Sequence, residues 1–185
     1  MHIVVGMADM QVTNNPEAIL ITYALGSCIG VTVYDPWVRV GGLLHFMLPE
    51  SKLDLQRAQT KPWMFADTGI PHLFQEAYKL GAEKKRMQVK VVGGSQIMDD
   101  SGYFNIGKRN YMALRKIFWS NNVLLQAEDV GGNGNRTLRL EINTGRVWVK
   151  TSGDGEKKLR IWWTPFWDRQ RSCRLSRQSS SGFCS

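Results

Sequence analysis

The chain of 185 residues is poor in cysteine and histidine, with three of each, and contains no long apolar run. Each shortage removes a class of protein. An odd number of cysteines without CxxC spacing, two of them in the last thirteen residues, argues against a disulfide framework and a zinc site. Thiol chemistry here is therefore free-thiol chemistry. No window approaches the roughly eighteen continuous apolar residues of a membrane span, so membrane insertion is not expected. The opening MHIVVGMADM lacks the basic start and long apolar centre of a signal peptide, and the cytoplasm is the expected compartment. The segment VGGNGNR at 130–136 lacks the lysine and spacing of a P-loop, and VVGGS lacks the third glycine of a dinucleotide fingerprint. Both read as turns or as walls of a substrate groove. Asp99, Asp100 and Ser101 do not open a calcium loop, because Asn110 stands where its final acid is required and its central glycine is missing. No cofactor and no metal is expected.

One excess stands against these shortages: a net charge of +8. From residue 157 onward there are seven Lys or Arg against the single acid Asp168, while the rest of the chain carries seventeen basic and fifteen acidic residues. The body is nearly neutral and the basic excess belongs to a tail, which removes the main support for nucleic-acid binding. That tail also changes composition, with Trp162, Trp163 and Trp167 followed by Arg and Ser. The sequence thus divides into a folded domain over 1–156 and a basic tail over 157–185 that reads as disordered, with the Trp cluster able to dock on the domain. Truncation after Gly155 is expected to leave the fold largely intact.

Within the domain, AILITYAL at 18–25, CIGVTVY at 28–34 and VGGLLHFML at 40–48 are rich in β-branched and aromatic residues and read as three successive strands. Ala66, Ile70, Leu73, Phe74, Ala77 and Leu80 recur mostly at spacings of three and four, with Gly81 as a C-cap, and predict a helix in which Pro71 belongs near the first turn. MQVKVVGG at 87–94 is a strand. A second helix is predicted from Ile106 to Asn121, with Tyr111, Leu114, Ile117 and Phe118 on one face. Strands at 123–130, 136–142 and 146–152 follow, the last two joined by a hairpin at Asn143, Thr144 and Gly145. The expected fold class is α/β: a β-rich domain whose sheets are covered by a few helices.

GSCIG at 26–30 places Cys28 between two glycines. The frame matches a hydrolase nucleophile elbow, but the strand VTVYDP follows where that elbow needs a helix. A lone cysteine is more often a compact core hydrophobe; a nucleophile needs a base that takes its proton. His2 lies at the N-terminus and His72 in a helix pattern, whereas His45 lies in a strand. If 28–34 and 39–48 pair as a hairpin around a loop of Asp35 to Val38, Cys28 faces His45 at a Cβ spacing of about 4.5–5.5 Å. A one-residue slip would part them. An imidazolium there would stabilise the thiolate, so Cys28 is expected to react with iodoacetamide faster than Cys173 and Cys184 at about pH 6. The alternative is a core cysteine beside a hydrogen-bonded core histidine.

The runs TYALGSCIGVTVYDP, GGLLHFMLPES, KPWMFADTGIPHLF, KVVGGSQIM, FNIGKRN and AEDVGGNGNRTLRLEINTGRV occur in one order over residues 5–152. This resembles the chemoreceptor glutamine deamidase family, CheD. The resemblance implies a triad of Thr22, Cys28 and His45, the threonine six residues before the cysteine and the histidine seventeen after it. It implies hydrolysis of glutamine side-chain amides on methyl-accepting chemotaxis receptors through a thioester, with release of ammonia and without a metal. Cys28 would be the nucleophile, His45 the acid and base, and Thr22 the group orienting its ring through a hydroxyl or a carbonyl. The backbone N–H of Cys28 would stabilise the oxyanion, with Ser27 as a candidate second donor. Relatives in the family also associate with CheC-type response-regulator phosphatases, so a non-catalytic partner of such a phosphatase is the alternative function. The tail after Lys158 departs from the family pattern.

Overall fold

Strands β4 (Ile29–Asp35), β5 (Val40–Phe46) and β6 (Gln88–Gly93) are buried along their whole length, because both faces of the sheet they form are covered. In this computed structural model, which describes residues 1–96 and 105–160, these strands form the centre of the first of two five-stranded sheets. That inner sheet adds β2 (Asp9–Thr13) beside β5 and β7 (Leu125–Val130) beside β6, in the order β2-β5-β4-β6-β7. Only the β6–β7 pair is parallel. The outer sheet contains β1 (His2–Val4), β3 (Ile19–Leu25), β8 (Arg136–Glu141), β9 (Val147–Thr151) and β10 (Glu156–Lys158), in that order. There only β1 and β3 run parallel.

Side-chain alternation along the inner strands feeds two cores. On one face Val31, Val33, Leu44 and Phe46 meet Ile70, Leu73 and Phe74 of helix α2 (Ala66–Lys79) and Leu114 and Phe118 of helix α3 (Ile106–Ser120). On the other face Leu43 and Val92 meet Leu20, Leu25, Leu138 and Leu140 of the outer sheet. The β-rich α/β class is therefore as expected, with α2 and α3 packed on the inner sheet. The far face of the outer sheet is polar: Arg139 pairs with Glu141 at 3.1 Å and Glu156 at 2.8 Å, and stacks over Trp148.

Helix α2 ends as its sequence predicts, at Gly81 with φ +88°, where Gly81 N–H donates to the Tyr78 carbonyl and Ala82 N–H to that of Ala77. Pro71, expected near the first turn, lies in the second turn with its ring exposed. The sequence pattern missed β1, β2, β10 and the short helix α1 (Leu55–Thr60), none of which buries a continuous apolar stripe.

Two expectations are corrected. The β4–β5 turn holds residues 36–39, not Asp35 to Val38, because Asp35 stays in β4 opposite Val40. Asp35 is fully buried and held there by Arg86 (Nη2–Oδ2 2.8 Å) and by the N–H groups of Trp37 and Glu83. The domain also passes the boundary expected at 156: β10 spans it, Leu159 is buried, and Lys157 pairs with Asp129 at 2.8 Å. Truncation after Gly155 is now expected to cost about 2–3 kcal/mol, chiefly from burial of Leu159, and to lower the melting temperature relative to truncation after Arg160. Equal melting curves for the two truncations would refute this. The Trp cluster, Cys173 and Cys184 lie outside the described residues, as do Asp99, Asp100 and Ser101.

Candidate active site

Thr22 belongs to the outer sheet and His45 to the inner one, and they meet where the two sheets pack. Leu20 and Thr22 point inward together. Their alternation is then broken: Tyr23 and Ala24 are both exposed, Ala24 has φ +56°, and the pairing with β8 shifts between Thr22 and Leu25. This bulge returns Leu25 to the core and sends the chain across to the inner sheet. His45 alternates with Leu44 and Phe46, so it faces away from the helices and toward Thr22. Thr22 Oγ1 lies 2.8 Å from His45 Nδ1, and both residues are fully buried. Of the two groups of Thr22 that the sequence leaves open, it is the hydroxyl that meets the ring.

In the tautomer whose Nδ1–H donates to Thr22 Oγ1, Nε2 keeps its lone pair; that nitrogen is buried and has no hydrogen-bond partner among the described residues. His45 lies opposite Gly30 on β4 and opposite Asp9 on β2. Cys28 immediately precedes β4, and the same register counted one pair further sets it across from Met47. The expected Cys28–His45 pairing is therefore displaced by two residues. This keeps the two on one face and makes them diagonal neighbours, a spacing of about 7–8 Å that a ring can span.

Residues 26–28 cross from one sheet to the other, and their carbonyls are held from behind. Ser95 N–H donates to the Gly26 carbonyl at 2.8 Å, Asn110 Nδ2 to that of Ser27 at 3.0 Å, and Gly94 N–H to that of Cys28 at 2.8 Å. The Ser27 N–H has no acceptor among the described residues, and the Cys28 N–H reaches only the residue's own thiol. They are the donors available to an oxyanion.

Burial opposes a charged pair. Desolvation pushes the Cys28 thiol up, partly offset by its own backbone N–H. It pushes His45 down to about 4, against the opposing pull of the Asp9 carboxylate. Both shifts favour a neutral thiol and a neutral imidazole over the thiolate–imidazolium pair expected from sequence. Iodoacetamide labelling of Cys28 at about pH 6 is accordingly expected to be slower than that of an unstructured cysteine; rapid labelling there would restore the ion pair. Stability follows the same logic. An unfolded histidine takes a proton near 6.5 and the folded His45 only near 4, so its contribution is complete above pH 6.5 and lost as the pH falls through that window.

Sequence reading missed the residues behind the loop. Gly93 has φ +115°, and a Cβ there would lie 2.3 Å from the Cys28 carbonyl oxygen. Ser95 is fully buried; its Oγ donates to the Gly134 carbonyl at 2.7 Å and accepts from Arg136 Nη1 at 2.6 Å. Arg136 also donates to Asp129 at 2.9 Å and to the Gly131 carbonyl at 2.8 Å. VVGGS and VGGNGNR thus form a support behind Cys28. Asn110 had a legible signal: it lies four and eight residues before Leu114 and Phe118, a polar side chain on an apolar stripe.

A family model described as CheD chemotactic sensory transduction matches residues 47–151, a span that does not reach Thr22, Cys28 or His45. A protein of Syntrophus aciditrophicus (strain SB), named "Probable chemoreceptor glutamine deamidase CheD 1", is 59% identical over 157 residues, which cover 85% of this chain and 98% of that protein. One of Solibacter usitatus (strain Ellin6076), named "Probable chemoreceptor glutamine deamidase CheD", is 51% identical over 152 residues, 82% of this chain and 90% of its own. A third, "Probable chemoreceptor glutamine deamidase CheD 2" of Anaeromyxobacter dehalogenans (strain 2CP-C), is 47% identical over 152 residues, 82% of this chain and 95% of its own.

Proposed function

This chain belongs to the CheD family, and we propose that it hydrolyses glutamine side-chain amides of methyl-accepting chemotaxis receptors with Cys28 as nucleophile. The observation that carries the reading is the 2.8 Å contact between Thr22 Oγ1 and His45 Nδ1, which orients a buried imidazole with a free Nε2 beside the Cys28 loop.

As Cys28 Sγ bonds to the carboxamide carbon, the thiol proton passes to His45 Nε2, and the carbonyl oxygen takes the negative charge. The Cys28 N–H faces that oxygen, with the Ser27 N–H as second donor. The imidazolium then protonates the amide nitrogen, the C–N bond breaks, and ammonia leaves a thioester. Water gives a proton to Nε2 and attacks the thioester carbon; Sγ departs with that proton, and glutamate is the product. Throughout, Thr22 Oγ1 accepts from Nδ1 and fixes the tautomer. Because burial disfavours both charges in the free protein, the ion pair forms only as the oxyanion does, when the donors stabilise it. Stabilisation confined to that moment raises turnover rather than substrate affinity.

The test is mass spectrometry of a receptor cytoplasmic fragment before and after incubation, with a gain of about one mass unit at particular glutamines expected. No such gain would refute the reading. The cytoplasm is the proposed compartment, where the receptor's modifiable segment would be met. A CheC-type phosphatase enters as a proposed partner through the family resemblance. Loss of deamidation at saturating phosphatase is expected, and undiminished turnover would place its surface away from Cys28.

A further inference from the structure

We propose that Asn110 is a positioning residue that aims the Cys28 N–H at the developing oxyanion; the inference rests on the deamidase reading above. Asn110 is fully buried in α3, and its Nδ2 donates both to the Ser27 carbonyl at 3.0 Å and to the Met47 carbonyl at 2.8 Å. The Ser27 carbonyl and the Cys28 N–H are the two ends of one trans peptide, and in a planar trans peptide they point in opposite directions. Holding the carbonyl toward α3 therefore turns the N–H away from it, to the side of the Cys28 thiol, where no backbone carbonyl among the described residues accepts from it. The preceding peptide is treated alike: Ser95 N–H holds the Gly26 carbonyl, and the Ser27 N–H points away.

The second bond of Asn110 adds a distance constraint. Met47 follows His45 by two residues, so one amide group ties the nucleophile loop to the end of the strand that carries the base. The oxygen of that amide is buried without a partner among the described residues, so the side chain serves through its NH2 group. A leucine would continue the stripe of Leu114 and Phe118 without burying an orphan acceptor. The position therefore gives up packing for the orientation of a peptide.

The test compares wild type, Asn110→Ala and Asn110→Asp, the last keeping the shape and replacing the NH2 donor with a carboxyl. Deamidation of the receptor fragment is measured for kcat and KM, and alkylation of Cys28 by iodoacetamide is measured in parallel, because that displacement forms no oxyanion. Expected is a fall in kcat of about 100-fold, the loss typical of a missing oxyanion donor, with KM and the alkylation rate within about threefold of wild type. A kcat within about threefold of wild type overturns the proposal. So does an alkylation rate that falls in step with kcat, which would mean that the thiol itself has moved. Absence of a cooperative melt in both variants assigns Asn110 to stability and overturns it as well. An inactive wild type would remove the deamidase reading and this inference together, whereas an active wild type beside unimpaired variants removes the inference alone.

Discussion

Alanine at position 28 is expected to abolish deamidation, a loss of at least about 10⁴-fold, while binding of the receptor fragment changes little. The side chain removed is one sulfur in a loop whose carbonyls are held by Ser95, Asn110 and Gly94. None of those bonds uses the thiol, so the loop keeps its course. His45→Ala should be nearly as severe, because no other described side chain has a free base beside Cys28. Thr22→Val tests the third role. It is close to isosteric and leaves Nδ1 unpaired in the seam between sheets, which costs about 1–3 kcal/mol of stability. With the tautomer no longer fixed, turnover should fall by about 100-fold. The gradation across the three is the result to look for, by receptor mass spectrometry with melting curves alongside. Full activity in Cys28→Ala would remove the nucleophile assignment, and loss of receptor binding would make Cys28 structural.

A second large effect is expected at a residue that touches no substrate. Gly93→Ala places a methyl 2.3 Å from the Cys28 carbonyl oxygen at a φ of +115°. The close atoms are backbone, so nothing flexible can yield. Backbone strain and overpacking together should cost about 3–5 kcal/mol, a large share of the 5–15 kcal/mol stability of a typical domain. The melting temperature should fall by roughly 10 °C, and any folded fraction should deamidate poorly because the nucleophile loop must shift. Gly155→Ala is the control, since a Cβ there meets nothing within 4 Å. Equal melting of the two variants would show that Gly93 is not the close contact described.

Most of this architecture was legible where burial is continuous. The β-branched runs gave β3, β4 and β5, and three- and four-residue spacings gave α2 and α3. Elements half exposed on both faces, such as β2, carry no period to read. The β4–β5 register was legible only to within two residues, because what keeps Asp35 in its strand is Arg86, far along the chain. Asp35 followed by proline reads locally as a turn. The pairing of Thr22 with His45 could not be derived from local pattern at all. Three successive strands suggest one sheet, and nothing in AILITYAL says that β3 leaves its neighbours to join β8 and β1. The departure from alternation at Tyr23 and Ala24 is the trace it leaves. Residue types alone suggest an ion pair of Cys28 and His45, whereas burial, which local sequence does not show, favours the neutral form of each.

The partition of β3 and β5 between two sheets also bears on how the protein matures during synthesis. Strand β3 pairs on one side with β1, which precedes it, but on the other with β8, where Thr22 lies opposite Leu138. A nascent chain that has exposed Thr22, Cys28 and His45 to the cytosol has therefore not yet emitted the strand that closes the outer sheet, nor Asn110. The three residues are near one another in sequence, yet their arrangement waits on segments made much later. Such long-range closure is slow compared with local helix formation. Until it occurs, the thiol sits on an unfinished chain without the proposed base or oxyanion donors in place. Ribosome-bound intermediates should thus be catalytically silent, and activity should switch on late and cooperatively, after β8 has left the exit tunnel.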